Sequence, residues 1–214
     1  MKTLDQLINL NEPAFDRVRA SVSKSASKVE LLPPAENREE VLLKLQVTTR
    51  STLGALVYET GGMLIDNGWI RFLGSGSAIL ERDIIGWNKN KISNSLLVAD
   101  DAIGGFFAIN DGGLGPDMGN MYYWAPDSLD WEELEIGFTD FFEWALSDRV
   151  NGFYEDLGKK WLQQEYRKIG TGECLNFYPF LWTEEGSVKG STKKLIPIEE
   201  AFFFKTELSS KLAR

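Results

Sequence analysis

With 214 residues, 43% of them hydrophobic and 26% charged, the chain holds enough apolar material for one large folded domain and is not disordered by composition. It contains no histidine, which excludes Ser-His-Asp and Cys-His mechanisms and histidine-ligated zinc, so an enzyme here would rely on carboxylates, lysine, tyrosine or serine. The net charge of −9 argues against nucleic acid as the main ligand; it suits a basic partner, and it also keeps a cytoplasmic protein in solution.

The opening MKTLDQLINLNEP carries an acid and no long apolar core, so it does not read as a signal peptide. Thr3 and Gln6 have capping-box spacing before the apolar Leu4, Leu7 and Ile8. After the break at Asn11-Glu12-Pro13, Phe15, Val18 and Val22 mark a second helix, and the Ser/Lys-rich SVSKSASK is its exposed end or a loop. Leu32-Pro33-Pro34 stops any helix. The next segment is mixed: EEVLLKL suits a helix and LQVTT a strand, and a strand is expected near Leu43–Thr48. Thr52–Tyr58 reads as a helix ending at Gly61-Gly62. Met63–Ile65 and Trp69–Leu73 are strands joined by the hairpin signature Asp66-Asn67-Gly68. A loop at Gly74–Ser77 precedes a short helix within Ala78–Trp87.

Leu96–Ala99 and Phe106–Asn110 read as strands around a turn at Asp100–Gly105, followed by a glycine-rich loop, Asp111–Asn120. Met121–Trp124 and Trp131–Ile136 complete the strands of this region. Phe138, Phe141, Phe142, Ala145 and Leu146 then repeat at i, i+3, i+4, i+7 and i+8, a broad apolar helix face for packing on the sheet. Beyond Asn151-Gly152, a helix is expected with Phe153, Leu157 and Trp161 on one side. Cys174–Trp182 is strand-like, with Pro179 favouring an edge, and Lys194–Ile198 is a further strand. Glu199–Leu212 closes the chain as a helix with Ala201, Phe204, Leu208 and Leu212 aligned. The expected fold is α+β: an antiparallel sheet of about five or six strands, helices packed mainly on one face, and a C-terminal extension. The expected organisation is 1–150 as the α+β domain with its N-terminal helices and 151–214 as the extension packed on it.

Three features with the look of chemistry have plainer readings. Asp100-Asp101, with Asp111, Asp117, Asp127 and Asp130 farther on, could hold a divalent cation or act as an acid/base pair, but Asp111-Gly112-Gly113 lacks the alternating ligands of a calcium loop, and Asp and Gly are ordinary turn residues. Gly74-Ser75-Gly76-Ser77 lacks the Gly-Lys-Ser/Thr of a phosphate loop. The S-x-x-K spacings at Ser21/Lys24, Ser25/Lys28 and Ser191/Lys194 fall in polar stretches without companion motifs. No metal site and no cofactor are expected. Trp69, Trp87, Trp124 and Trp131 fill the core and its rim or line a groove; the core is the favoured reading. Cys174 reads as a small buried hydrophobe with no internal disulfide partner.

Four pieces in order resemble the SUKH superfamily, an α+β fold with many bacterial immunity proteins. They are LGALVYETGG, then GWIRFLGSG, then LLVADDAIGGFFAIN, then MYYWAPD with FTDFFEWAL, covering roughly residues 50 to 148. The chain as a whole also resembles a bacterial family catalogued as a domain of unknown function. The superfamily resemblance implies a non-enzymatic intracellular binding role, often neutralising toxins such as nucleases, with no catalytic residues to carry over. The binding residues expected are Trp124, Asp127, Asp130, Trp131, Glu132 and Glu133, which form an acidic docking edge for a basic protein. The alternative is a carboxylate-dependent enzyme acting on a small or carbohydrate ligand in a cleft of Glu59, Asp66, Trp69, Asp100 and Asp101. A third reading is a structural homo-oligomer. Neither nucleic acid nor a membrane is an expected partner, the oligomeric state stays open, and a cytoplasmic location is expected.

Overall fold

Short apolar strands separated by turn residues fold back on one another in chain order, and this meander is the frame of the molecule. The computed structural model describes residues 1–212, apart from the side chain of Leu212. The place of Leu212 on its helix stripe, and residues 213–214 of the extension, lie outside the described residues. Helices α1 (Leu4–Leu7) and α2 (Phe15–Ser23) precede β1 (Val29–Leu32), and α3 (Arg38–Leu45) and α4 (Thr52–Glu59) follow it. The hairpin β2 (Gly62–Ile65) and β3 (Ile70–Leu73) leads through α5 (Ile84–Asn88) to β4 (Ser95–Asp101) and β5 (Phe106–Asn110). Then come β6 (Asn120–Trp124), β7 (Trp131–Gly137), α6 (Phe138–Ala145), α7 (Arg149–Phe153) and α8 (Gln163–Tyr166). A second hairpin, β8 (Glu173–Tyr178) with β9 (Thr192–Pro197), ends in α9 (Ile198–Leu212). Strands β1 to β7 form one seven-stranded antiparallel sheet in sequential order. The α+β class and the antiparallel sheet are as expected, with seven strands.

Strand register sorts the side chains onto two faces. Met63, Phe72, Ala99, Phe107 and Tyr123 lie opposite one another across successive strands and form one row. Phe141 of α6 packs into this row, its ring centroid 5.2 Å from that of Phe72 and 4.7 Å from that of Phe107. The adjacent row, Leu64, Arg71, Asp100, Phe106, Trp124 and Trp131, points to the other side because side chains alternate along a strand. There Phe202 of α9 meets Phe106 edge-on at 5.1 Å. The C-terminal hairpin and α9 therefore cover the face away from α6.

Four local expectations are corrected. The strand near Leu43–Thr48 does not form: α3 runs to Leu45, an i,i+4 ion pair joins Glu40 and Lys44 at 2.7 Å, and Gln46 ends the helix at a left-handed φ of 60°. The edge position is taken by β1, whose Leu31 pairs with Met63. The helix within Ala78–Trp87 shrinks to α5 because the Asp83 carboxylate caps the Ile85 and Gly86 N–H groups, each at 2.8 Å. The helix through Phe153, Leu157 and Trp161 stops at Phe153, and Gly158 takes a φ of 74° that breaks the helical path. The Asp100–Gly105 turn begins later than expected: Asp100 and Asp101 are strand residues, with Asp100 paired to both Arg71 and Phe106. Among the described residues no helix is long and apolar enough to cross a membrane.

Candidate functional site

The acidic run after Trp124 becomes the outer edge of the sheet. β7 is the terminal strand, paired with β6 on one side and, among the described residues, with no strand on the other. Glu132 lies opposite Tyr123 and Glu133 opposite Tyr122, so strand alternation sends their carboxylates to opposite faces of the same edge. Glu133 accepts a hydrogen bond from Asn120 Nδ2 at 2.7 Å and Glu132 from Ser128 Oγ at 2.9 Å. Asp127, Asp130, Glu132, Glu133 and Glu135 are all exposed. Trp131 is half-buried and meets Trp124 edge-on at 5.4 Å. Trp124 is only 4% exposed, so it supports Trp131 from within and offers no ring to a partner.

The charge is more concentrated than this run alone indicates. From Ile92 to Asp148 the chain holds eight aspartates and four glutamates and no lysine or arginine, more than the whole net charge. All but Asp100 and Asp101 among these carboxylates are exposed. That asymmetry was open to sequence reading and is the signal that a local scan misses.

Asp100 and Asp101 are neighbours in sequence but serve opposite faces of β4. Asp100 is fully enclosed between Arg71, whose Nε stands 2.6 Å from Oδ1, and Arg82, whose Nη1 stands 2.5 Å from Oδ2. Arg71 also donates from Nη1 to the carbonyls of Gly170, Thr171 and Glu173 and from Nη2 to that of Asp101. Arg82 donates to the Thr171 carbonyl at 2.7 Å. The buried Arg71 guanidinium and the partly buried Arg82 guanidinium thus tie the turn before β8 to the sheet. Behind that turn, Cys174 is enclosed, and burial pushes its thiol up to about 11.

Asp101 faces the α6 side. Its Oδ2 accepts the hydroxyls of Tyr123 at 2.8 Å and Tyr154 at 2.9 Å, while Oδ1 accepts the N–H groups of Ile103 and Gly105. Gly105 is required here, since a Cβ would collide with the Tyr123 hydroxyl and the Asp101 carboxylate. Burial raises the Asp101 carboxyl above its ordinary 3.8, against the lowering effect of the Gly105 N–H, the Tyr123 and Tyr154 hydroxyls and the Lys205 ammonium. The same enclosure, with the carboxylate beside them, drives the Tyr123 and Tyr154 hydroxyls well above their ordinary 10.0. A carboxyl held more readily protonated in the fold stabilises it fully below about pH 3.8, and this contribution is lost as the pH rises through the raised value. The stability advantage of the native chain over Asp101→Asn is therefore expected to shrink as the pH rises above about 3.8, as read by denaturant unfolding. An advantage that grows with pH would show that these hydrogen bonds and the Lys205 charge outweigh burial.

The remaining residues of the alternative cleft are dispersed. Trp69 is fully buried, packed edge-on to Tyr154 and Tyr166. Glu59 is half-buried beside Arg38 at 3.5 Å. Asp66 of that set lines a cleft of about 580 Å³ between the β2–β3 turn and residues 151–163. Its floor carries Lys159, 5% exposed, whose ammonium pairs with Asp66 Oδ2 at 3.0 Å and donates to Asn151 Oδ1 at 2.9 Å. Tyr166 donates to the same Asp66 oxygen at 3.0 Å, and burial followed by that carboxylate raises its hydroxyl to about 12. Trp161 stands on the wall, 51% exposed. Sequence reading placed Trp161 on one side of a helix with Phe153 and Leu157 and passed over Lys159; Gly158 inside the helical pattern was the available warning. Among the described residues no three His, Cys, Asp or Glu side chains converge as metal ligands.

Comparison with known proteins gives one family and two relatives. Residues 4–201 match the family described as protein of unknown function DUF2625, a span that takes in the sheet, the second hairpin and the start of α9. The chain is 40% identical over 204 residues to the uncharacterized protein YbfG of Escherichia coli (strain K12), covering 94% of each. It is 37% identical over 189 residues to an uncharacterized protein of Haemophilus influenzae, covering 85% of this chain and 83% of that one.

Proposed function

The chain belongs to the DUF2625 family, and from its site we propose that it is a non-enzymatic module that binds a basic protein along the acidic edge of its sheet. The observation that carries this reading is β7: a terminal strand with an open side, lined by exposed carboxylates on both faces. An open edge offers backbone donors and acceptors, and its glutamates repel a second copy of the same edge while attracting lysine and arginine. This favours a different protein over a homo-oligomer joined through β7. Trp131 supplies the aromatic contact, and the carboxylates supply orientation and long-range attraction. A SUKH-like immunity role, neutralising a basic toxin such as a nuclease in the cytoplasm, is the biological form this binding would take. The enzyme alternative has less support, because Asp100 and Asp101 are enclosed and already occupied by cations and hydroxyls.

The test is association with a basic protein encoded beside this gene. The double change Glu132→Lys with Glu133→Lys is expected to weaken it about tenfold or more, and raising salt from about 50 to about 200 mM to weaken the native complex further. Titration calorimetry reads both. Binding indifferent to salt and to these substitutions overturns the acidic-edge reading.

A further inference from the structure

The cleft at Asp66, remote in character from the charged edge, has a polar array with capacity left over. Lys159 donates one ammonium hydrogen to Asn151 and pairs with Asp66 Oδ2 at 3.0 Å, and its ammonium has no other partner among the described residues. Because Lys159 holds Asn151 by its carbonyl oxygen, the Asn151 Nδ2 is the end of that amide left to donate. Asp66 takes Tyr166 and Lys159 on Oδ2, while Oδ1 has only a 3.5 Å contact with Asn67 Nδ2. One acceptor and two donors therefore adjoin one another. Beside them the Trp161 ring is half in solvent, with the Lys189 ammonium 3.7 Å from its centroid.

We propose that this cleft binds a neutral pyranose sugar, its vicinal hydroxyls on Asp66, Lys159 and Asn151 and its C–H face on Trp161. A hydroxyl both donates and accepts, so two neighbouring ones can satisfy a carboxylate oxygen and two N–H groups together. An apolar ligand would leave those groups dry and unpaired. An anion would gain from Lys159 and Lys160 but would face the carboxylates of Asp66 and Glu155 in the same lining. The Asp66–Lys159 pair already cancels its own charge, and a neutral ligand leaves that balance intact. A cleft of about 580 Å³ admits one or two sugar rings.

Saturation-transfer NMR on the full chain tests this with glucose, galactose and N-acetylglucosamine, each at about 20 mM, and inorganic phosphate followed by tryptophan fluorescence. At least one sugar is expected to give a saturable signal and to shift the Trp161 indole N–H resonance. Trp161→Ala and Asn151→Ala, both at exposed positions, are each expected to weaken that binding about tenfold. Glu132→Lys is expected to leave it unchanged, which separates this site from the edge strand. No signal from any of the three sugars, native-strength binding in either folded variant, or a response to phosphate in place of sugar would each overturn the proposal.

Discussion

Replacing Arg71 with methionine is expected to lower the free energy of unfolding by about 3–5 kcal/mol. Arg71 is 1% exposed, so the change removes a buried charge from a set in which Asp100 is paired with two guanidinium groups. Asp100 would keep Arg82 but lose the closer enclosure of the pair, and the carbonyls of Gly170, Thr171, Glu173 and Asp101 would lose a common donor. A buried acceptor left without its donor costs about 1–3 kcal/mol, so an apolar side chain of similar length does not restore the balance. Lysine at this position keeps the charge but has one nitrogen where the guanidinium has three, and Arg71→Lys is expected to lose nearly as much. Asp100→Asn should also destabilise by several kcal/mol, about 3–5, by leaving two guanidinium groups against a neutral amide. Equilibrium unfolding in guanidinium chloride measures each effect. Hydrogen exchange should quicken first in β8 and α9, because Arg71 holds the turn that leads into them. A loss below about 1 kcal/mol in Arg71→Met would show that the C-terminal hairpin is held by apolar packing alone.

Phe141→Ala is expected to cost about 3–5 kcal/mol through loss of buried surface and the cavity left behind. The ring has no exposed surface and lies among Phe72, Phe107, Phe138 and Trp144, with centroids 4.7 to 6.4 Å away. Phe72 and Phe107 are anchored in β3 and β5 and Phe138 and Trp144 in α6 itself, so none can collapse into the gap without moving the sheet or the helix. The adjacent Asp140→Ala, on the exposed side of the same helix, is expected to change stability by no more than about 0.5 kcal/mol. Similar losses for the two variants in the same unfolding experiment would mean that α6 does not anchor the sheet. Because α6 begins where β7 ends, its packing also fixes the acidic edge.

Several parts of this fold were legible in the residues. The i, i+3, i+4, i+7, i+8 spacing of Phe138 to Leu146 defined α6, and Asp66-Asn67-Gly68 defined the β2–β3 hairpin. Both signals are local: a repeat that matches a helix, and residues that tolerate left-handed turns. The acidic edge was legible in the same way, since five carboxylates between Asp127 and Glu135 follow one another in a short stretch. The helix expected through Trp161 failed because its apolar spacing competed with Gly158, whose φ of 74° fits packing against Val188. The strand expected at Leu43–Thr48 failed for the opposite reason, a helix outlasting β-branched residues downstream.

What the chain determined unaided is its class, its meander of short strands and the sign of its charge, because composition and periodicity act within a few residues of each position. Only the tertiary structure decided the fate of Asp100 and Asp101. Adjacent in sequence, they were separated by strand alternation, one locked between two arginines and the other under two tyrosine hydroxyls. It likewise brought Asp66 to Lys159 and Trp161, which lie beyond β3 to β7 in the chain. Such meetings depend on which face of a sheet a later segment covers, and that is a property of the assembled core, with no trace in the spacing of neighbouring residues.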